Sequence, residues 1–372
     1  MTTTPHAPPA APTRRQEQEP ADPEVTEVGP GVLRMQLHIE MPGLAHINTY
    51  VILDGDGCAI VDPGLPGKPS WNSLVARLKA ADIAPKRIHT IFITHSHPDH
   101  FGNAMRLAEF AGGAEIVTHR AFRHMFAENH QCVAVDCDDP LHAHPDTGQE
   151  DLPLGEGIGR KMPWAPGEWD PRAEHPEIRK HQTLELAEKG WPLPVPTRRV
   201  RNGDTIELGR RTWQAVHTPG HTLDHLCLYD REGGVFISGD HVLPTITPHV
   251  PGIGGGIDAL GNFFGSLDQV GALPEVQVVL PAHGHPFGDL AGRVADIKEH
   301  HRERTVRLFD VAQAEGPVTV TEYSHHLFRK ERWGAMAESE TYAHLEHLRL
   351  VGRAERWHDE NERMVFRIDS SL

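Results

Sequence analysis

The segment THSHPDH at residues 94–100 constrains the fold of this chain more than any other stretch of its sequence. It follows directly on the apolar run IHTIFI, which has the composition of a buried strand. Alternate side chains of an extended segment share one face, so His95 and His97 are expected to point at one metal ion. Asp99 and His100 lie on the following turn and are displaced toward a second ion. The spacing therefore predicts a two-metal site where a strand ends.

Three later positions repeat this local design. His221 lies in HTPGHT, Asp240 in ISGDH and His283 in LPAHGHP, and each follows a β-rich run on a turn. Together with the first four residues they make a set of candidate ligands large enough for two ions that share one carboxylate. Imidazole and carboxylate without thiolate suit two Zn²⁺ ions per chain, and iron or manganese also fit this set.

Strand-like and helix-like segments alternate over most of the chain, which is typical of an α/β layered domain. A meander of three β-rich runs lies between residues 31 and 64. One helix is expected to begin at a cap on Ser70, and another is expected at 101–110. β-rich runs resume from residue 205, and Asp258 is expected to cap a later helix. Two packed sheets with helices on the outside account for this order.

Residues 129–200 interrupt this alternation. They contain many prolines, one expected helix at about 176–189, and the tryptophans Trp164, Trp169 and Trp191. Connections as long as this one are usually functional lids or exterior decorations. The tryptophans are expected either to cover a substrate or to pack on the domain, and the sequence leaves both interpretations open.

The last part of the chain, residues 292–372, differs in pattern from the rest. Two helical stretches, near 292–315 and 338–350, precede the runs RAERWH and RMVFRI, which have the pattern of a hairpin. Helices followed by a two-stranded wing predict a small winged-helix-like domain. This region carries slightly more acidic than basic residues, which disfavours DNA reading and favours an interaction role, such as a homodimer contact.

Net charge limits the partners that this protein can have. The chain of 372 residues carries a formal charge of −16, so it lacks the basic surface that binds phosphate backbones and would be repelled by anionic membranes. We therefore expect a small-molecule substrate rather than nucleic acid or a membrane. The 4 cysteines are too sparse for a disulfide framework, which favours a cytoplasmic location. Residues 1–24 are rich in Pro, Ala and Glu and are expected to be a disordered tail.

The order of these motifs resembles the metallo-β-lactamase superfamily. The pattern T-H-x-H-x-D-H is followed by G-H-T, G-D and A-H-G, and the resemblance covers roughly residues 28–290. It implies an α/β fold, an αββα sandwich of two sheets with outer helices, here at 25–291. The first ion would be held by His95, His97 and His221, the second by Asp99, His100 and His283, with Asp240 between them. Asp62, in the motif VDPG, matches the family's acid that orients metal-bound histidines.

The ligand set of this chain differs from those of some groups within the superfamily, and these differences limit which groups it resembles. Zinc β-lactamases of the best-known class have cysteine where this chain has Asp240, and flavodiiron enzymes have an acid in place of His97. The complete His and Asp set is instead similar to that of glyoxalase II, RNase Z, lactonases and related thioester hydrolases. The C-terminal part resembles that of β-lactamase-like-2 proteins, which include endoribonucleases.

The resemblance implies that the protein is a hydrolase. Two ions roughly 3.5–4 Å apart share a water and lower its pKa toward about 7, so that a bridging hydroxide can attack an acyl carbon. Asp99 would then act as a catalytic residue that passes the proton to the leaving group. A small acyl substrate, such as a thioester or a lactone, fits the acidic chain best.

Two alternative functions remain open from the sequence. A phosphodiesterase or endoribonuclease of the β-lactamase-like-2 type would be favoured by a basic strip near the site, with the candidates Arg198, Arg199, Arg201, Arg210 and Arg211. A persulfide dioxygenase with a single iron shares the same motif set. Metal content separates the dioxygenase from the hydrolase, because one iron per chain would replace two zinc ions.

The ligand pattern predicts that His97→Ala abolishes turnover and leaves the fold largely intact, because the change removes one imidazole from a metal site. Turnover and circular dichroism of the purified variant check the two parts of this prediction. Wild-type turnover in the variant would contradict the predicted metal site.

Overall fold

Two β-sheets packed face to face form the centre of this protein, with helices on both outer faces. The computed structural model describes residues 15–41, 43–122, 160–166, 168–169, 191–253 and 257–369. Side chains of both sheets fill the space between them, including Tyr50 and Phe92 from the first sheet and Trp213 and Leu228 from the second. All four are almost fully buried. The predicted αββα sandwich is thereby confirmed.

The first sheet mixes antiparallel and parallel strands. Its strands, in spatial order, are β1 (Val25–Gly29), β2 (Val32–Met41), β3 (Leu44–Asp54), β4 (Gly57–Val61), β5 (Ile88–Phe92), β6 (Glu115–His119) and β9 (Arg198–Val200). Neighbours pair antiparallel from β1 to β4 and parallel from β4 to β9. Parallel pairing brings the carboxyl end of β5, which leads into THSHPDH, to the same edge as the end of β4.

The second sheet contains the strands that lead to the remaining candidate ligands. They are β10 (Thr205–Leu208), β11 (Arg211–His217), β12 (Leu226–Asp230), β13 (Val235–Gly239) and β14 (Val278–Pro281), in that spatial order. Neighbours pair antiparallel from β10 to β13, and β13 pairs parallel with β14. Every residue of β12 and β13 is buried, which explains their nearly continuous apolar runs.

Helices cover the outer face of each sheet. They are α1 (Lys68–Ala80), α2 (Pro98–Phe101) and α3 (Ala104–Ala111) on the first side, and α4 (Ala259–Gly271) and the start of α5 (Leu290–Glu315) on the second. Asp258 caps α4, as predicted, because its side chain accepts a hydrogen bond from Gly261 N. Among the described helices, not one combines the length and the apolar character that spanning a lipid bilayer demands.

Two helix predictions differ from the structure. α1 begins at Lys68 rather than after a cap on Ser70, because Pro69 is suited to the first turn of a helix and Ser70 is buried inside that turn. The helix expected at 101–110 begins at Ala104, as α3, and the short helix α2 before it is separated from it at Gly102. The chain at Gly102 passes so close to Pro66 that an added Cβ would lie 2.1 Å from that ring.

Residues 290–369, here called the C-terminal module, contain helices and a small sheet. After α5 come β15 (Val318–Thr319), α6 (Val320–Leu327), α7 (Ala335–Leu350), β16 (Ala354–His358) and β17 (Met364–Ile368). β16 and β17 form the predicted hairpin, and β15 pairs with the other side of β17. The domain boundary predicted after residue 291 falls in the first turn of α5. This helix belongs to both parts, because Ile297 packs in the core beside the second sheet and Leu308 packs in the core of the module. The winged-helix assignment stays a prediction.

The described parts of the insertion are attached to the protein at two places. The first place, at Trp164, lies between the two strands of a short pair, β7 (Arg160–Lys161) and β8 (Glu168–Trp169). Trp164 is buried, and its Nε1 donates a hydrogen bond to Glu338 on α7 (2.9 Å). Trp191 Nε1 donates to the carbonyl of Gly102 (2.9 Å), so both tryptophans pack on the protein. The helix expected at 176–189 and the side chain of Trp169 lie outside the described residues.

The predicted disordered tail is wrong for residues 15–24, which contact the rest of the protein. Glu17 lies in a 3-10 helical turn, Gln16–Gln18, and is fully buried. Its carboxylate accepts hydrogen bonds from Thr245 N (3.0 Å), Ile246 N (3.1 Å) and the Thr245 hydroxyl. The polar composition suggested disorder, but these three donors hold the segment in place. Residues 1–14 lie outside the described residues.

We expect Glu17→Ala to lower the free energy of unfolding by about 2 kcal/mol, because the buried donors of Thr245 and Ile246 would lose their acceptor. Urea denaturation measures the change. Glu24→Ala, at an exposed position of the same segment, is the control and should be neutral. Equal stability of Glu17→Ala and the wild type would show that this contact does not contribute to folding.

Candidate metal centre

Four candidate ligands lie on the segment between β5 and the end of α2. The backbone of His97 is extended (φ −83°, ψ 144°), and Pro98 occupies the first turn of α2. His95 and His97 therefore precede the helix, whereas Asp99 and His100 lie in its first turn. Because the backbone changes from extended to helical at Pro98, the side chains of Asp99 and His100 point to a different position from those of His95 and His97.

The other three candidates lie on loops of the second sheet. His221 lies between β11 and β12, Asp240 directly after β13, and His283 shortly after β14. β13 and β14 are parallel neighbours, so their carboxyl ends meet at one edge. Gly239 precedes Asp240 with φ 53°, and an added Cβ there would lie 2.7 Å from the His225 ring. Glycine permits this close approach.

The candidate ligands form two adjoining clusters in the described part of the chain. The first contains His95, His97, His221 and Asp240, and the second contains Asp99, His100 and His283. In the first cluster, His97 Nδ1 lies 2.9 Å from His95 Nε2 and 3.1 Å from His221 Nε2. Asp240 Oδ2 lies 3.9 and 3.5 Å from the same two Nε2 atoms. The structure thus brings together every side chain that the sequence singled out as a ligand.

Asp240 also faces the second cluster. Its Oδ2 lies 3.5 Å from His100 Nε2, and its Oδ1 lies 3.3 Å from His283 Nε2. Asp99 Oδ2 lies 3.6 and 3.5 Å from those two nitrogens. Because Asp240 faces imidazoles of both clusters, its carboxylate is placed to serve two cations at once.

These groups have the chemistry and the spacing of a divalent-cation site. Ligands bound tetrahedrally at about 2.1 Å lie roughly 3.4 Å apart, which is close to the distances around Asp240. His100 Nε2, His283 Nε2 and Asp240 Oδ1 are buried, and the described residues offer these atoms no hydrogen-bond partner. Unpaired buried polar atoms are costly, and a cation would supply the contact that they lack.

The electrostatics of both clusters favour cations. Burial, reinforced by His221, lowers the pKa of His97 to about 3, so this imidazole is neutral and has a lone pair for a metal. Burial also lowers the pKa of His283, but the neighbouring carboxylates of Asp240 and Asp99 outweigh burial and raise this pKa to about 10. The second cluster therefore favours a positive charge beside its carboxylates.

Backbone carbonyls orient two of the imidazoles. His221 Nδ1 donates a hydrogen bond to the carbonyl of His249 (2.7 Å), and His283 Nδ1 donates to the carbonyl of His46 (2.7 Å). Because Nδ1 is engaged with a carbonyl, Nε2 is the nitrogen that each ring presents to the clusters. The roles of His46 and His249 have no signal in the sequence, because a backbone carbonyl has no side-chain signature.

Asp62 joins a third imidazole to the backbone of the THSHPDH segment. Its Oδ2 accepts hydrogen bonds from His100 Nδ1 (2.8 Å) and the Thr94 hydroxyl (2.8 Å), and its Oδ1 accepts one from Thr94 N (2.8 Å). Asp62 has φ 53°, a strained left-handed backbone for a residue other than glycine. These contacts fit the role that the sequence suggested, an acid that orients a metal-bound histidine.

Two more buried residues hold the ligand loops, although the sequence analysis gave them no role. Asp224 Oδ1 accepts a hydrogen bond from Ser96 Oγ (3.0 Å), and burial raises the pKa of Asp224 to about 6. His225 Nε2 accepts a hydrogen bond from Asp240 N (3.1 Å). The available signal was the motif HTLDH, which places a carboxylate and an imidazole just after His221.

Four of the five arginines named as candidates for a basic strip are engaged in structural contacts. Arg199 donates hydrogen bonds to the carbonyls of Arg120 and Phe122, both at 3.0 Å. Ion pairs join Arg198 to Glu115, Arg210 to Asp54 and Arg211 to Asp230. These contacts lend no support to the endoribonuclease alternative.

Asp62→Asn should weaken divalent-cation binding, measured with Zn²⁺ as the probe, by roughly 10–100-fold and leave the fold in place, because an amide nitrogen replaces one of the oxygens that accept from His100 and Thr94. Competition with a chromophoric chelator measures the affinity. Asp56→Asn, at an exposed position of a turn, is the matched control. Unchanged affinity in Asp62→Asn would contradict the orienting role.

Comparison with known proteins agrees with this geometry. The family model described as the metallo-beta-lactamase superfamily matches residues 42–311. The chain is 24% identical over 292 residues to an atrochrysone carboxyl ACP thioesterase of Aspergillus chevalieri, covering 77% of this chain and 68% of that protein. It is 23% identical over 307 residues to the "Probable metallo-hydrolase YqjP" of Bacillus subtilis, covering 79% of this chain and 85% of that protein.

Two solved structures share the fold over nearly the whole chain. A metallo-beta-lactamase family protein from Thermus thermophilus has a TM-score of 0.66 and 25% identity, over 91% of this chain and 99% of that one. A beta-lactamase domain protein from Burkholderia ambifaria has a TM-score of 0.72 and 24% identity, over 95% of this chain and 96% of that one. The family match spans all the converging His and Asp side chains, and the chain is a metal-dependent hydrolase that belongs to the metallo-β-lactamase superfamily.

Proposed function

We propose that this protein uses two divalent cations, one at each cluster, to hydrolyse a thioester. The observation that carries the proposal is the position of Asp240, whose two carboxylate oxygens face imidazoles of both clusters. The first cation would be held by His95, His97 and His221, and the second by Asp99, His100 and His283. Zinc suits a set of imidazoles and carboxylates without thiolate.

The names of two relatives favour a thioester over other acyl substrates. The matched proteins of Aspergillus chevalieri and Paecilomyces divaricatus, at 24% and 23% identity, are both named atrochrysone carboxyl ACP thioesterases. Their names specify an acyl group joined through sulfur to a carrier. A lactone, the other acyl substrate suggested by the sequence, presents a similar carbonyl carbon and belongs in the same test.

The cysteines among the described residues are unsuited to act as nucleophiles. Burial raises the pKa of the Cys227 thiol to about 12 and that of the Cys58 thiol to about 11. Both thiols are therefore neutral near pH 7, and a thiol is a much weaker nucleophile than a thiolate. This favours water as the attacking group, and two bound divalent cations would supply the Lewis acidity that lowers its pKa.

In this proposal Asp99 moves a proton within the site. Burial opposes its ionisation, but the adjacent imidazoles of His100 and His283 outweigh burial and lower the pKa of Asp99 to about 2. Asp99 is therefore a carboxylate at neutral pH and can accept a proton at Oδ1 or Oδ2. Passing this proton to the departing thiolate would complete hydrolysis.

Metal content and turnover test the proposal together. We expect the wild-type protein to bind two zinc ions per chain and to hydrolyse acyl thioesters. His283→Ala should retain about one ion and lose more than ~100-fold in kcat/KM, because each cation contributes several kcal/mol to transition-state stabilisation. Asp56→Asn, away from both clusters, should match the wild type in both measurements.

The substrate panel separates the alternatives. It contains acyl thioesters, lactones, phosphodiesters, RNA and a persulfide, and each is assayed alongside elemental analysis of the protein. Turnover of phosphodiesters or RNA without thioester turnover would overturn the proposal in favour of a nuclease. One iron per chain with oxygen consumption on a persulfide would overturn it in favour of the dioxygenase. The small-molecule partner, the cytoplasmic location and the homodimer contact stay predictions.

A further inference from the structure

Loop 241–253 contributes to the first cluster although it holds none of the candidate ligands. The loop follows Asp240 at the end of β13 and leads toward α4. Through its backbone carbonyl, His249 accepts the hydrogen bond that His221 Nδ1 donates at 2.7 Å. The position of this carbonyl therefore controls where the His221 ring points.

The side chain of His249 connects this loop to the C-terminal module. His249 Nδ1 lies 3.3 Å from Oε2 of Glu340 on α7. Glu340 is 8% exposed, and its other oxygen accepts a hydrogen bond from Arg304 on α5. A buried carboxylate paired with a guanidinium is a firm anchor, because loss of either partner leaves an uncompensated charge.

A second contact brings the loop close to α7. Gly252 N donates a hydrogen bond to Ser339 Oγ (3.0 Å), and a Cβ added to Gly252 would lie 2.6 Å from Ser339 O. The first half of the loop has different anchors, since Arg293 donates to the carbonyls of Leu243 (2.6 Å) and Ile246 (2.7 Å). The half that contains His249 is therefore the part that depends on α7.

We propose that Glu340 is a positioning residue of the metal centre, through which the C-terminal module sets the orientation of His221. Glu340, paired with Arg304, keeps the His249 side chain in place. The His249 carbonyl in turn keeps His221 Nε2 directed at the first cluster. The inference rests on the proposed binding of metal at this site, and it extends the metal centre into the C-terminal module.

The second cluster does not use this path. His283 is oriented by the carbonyl of His46 on β3, and His100 is oriented by Asp62, which follows β4. Neither partner belongs to the C-terminal module. Loss of Glu340 should therefore weaken one cation site and spare the other, and this asymmetry distinguishes positioning from general loss of stability.

Glu346 provides a matched control on the same helix. It is 3% exposed and pairs with Arg349 and Arg356, which both belong to the C-terminal module. Glu346→Ala removes a buried ion pair of the same kind and leaves the contacts of loop 241–253 in place. We expect this variant to have a lower Tm and wild-type zinc affinity at both sites.

The test measures zinc affinity at each site of the whole chain by chelator competition. His221→Ala and His283→Ala identify which binding step belongs to which cluster. We expect Glu340→Ala to weaken the first-cluster step by roughly 10–100-fold and to leave the second nearly unchanged. Glu340→Gln retains an acceptor oxygen for His249 and should recover most of the affinity. His249→Ala should reproduce the loss without removing a buried charge.

Wild-type affinity of Glu340→Ala at both steps would overturn the inference. An equal loss of affinity in Glu346→Ala would also overturn it, because the effect would then come from the module's stability. If Glu340→Ala does not fold, the zinc affinity of His249→Ala is measured instead, and wild-type affinity at both steps in that variant would overturn the inference. A wild-type protein that binds no zinc would instead overturn the proposed function, and the inference with it.

Discussion

The buried carboxylate of Asp240 is the group on which the arrangement of this site depends. It is 7% exposed and lies 3.3–3.9 Å from imidazole nitrogens of three separate loops. A carboxylate in this position loses most of its hydration, and its burial is favourable only beside compensating positive charge. Imidazoles from both sheets meet this requirement at one edge, and the same requirement favours the binding of metal cations there.

The sandwich makes this convergence possible, because strands of both sheets end at the same edge. β5 leads to the THSHPDH segment, and β13 and β14 lead to Asp240 and His283. Elements outside the sandwich then hold the loop that follows β13. Glu17 and Arg293 fix its first half, and α7 contacts its second half. The site therefore combines parts of the chain that are far apart in sequence.

Sequence patterns predicted structure well where neighbours along the chain decide it. The cap at Asp258 and the hairpin of β16 and β17 were found because capping and alternation are local properties. The starts expected for the helices at Ser70 and at residue 101 were wrong, because contacts beyond the local pattern decide where those helices begin, such as Pro66 against Gly102. The segment around Glu17 was expected to be disordered because its anchor at Thr245 lies 228 positions away.

The sequence by itself determined the chemistry of the site, since the type, order and spacing of the His and Asp residues are all visible in it. Only the tertiary structure decided which groups orient those side chains. His283 is oriented by the carbonyl of His46, 237 positions earlier, and His221 by the carbonyl of His249, 28 positions later. A backbone carbonyl is chemically the same in every residue, so it acquires a specific role only when folding brings it within hydrogen-bond distance of one imidazole.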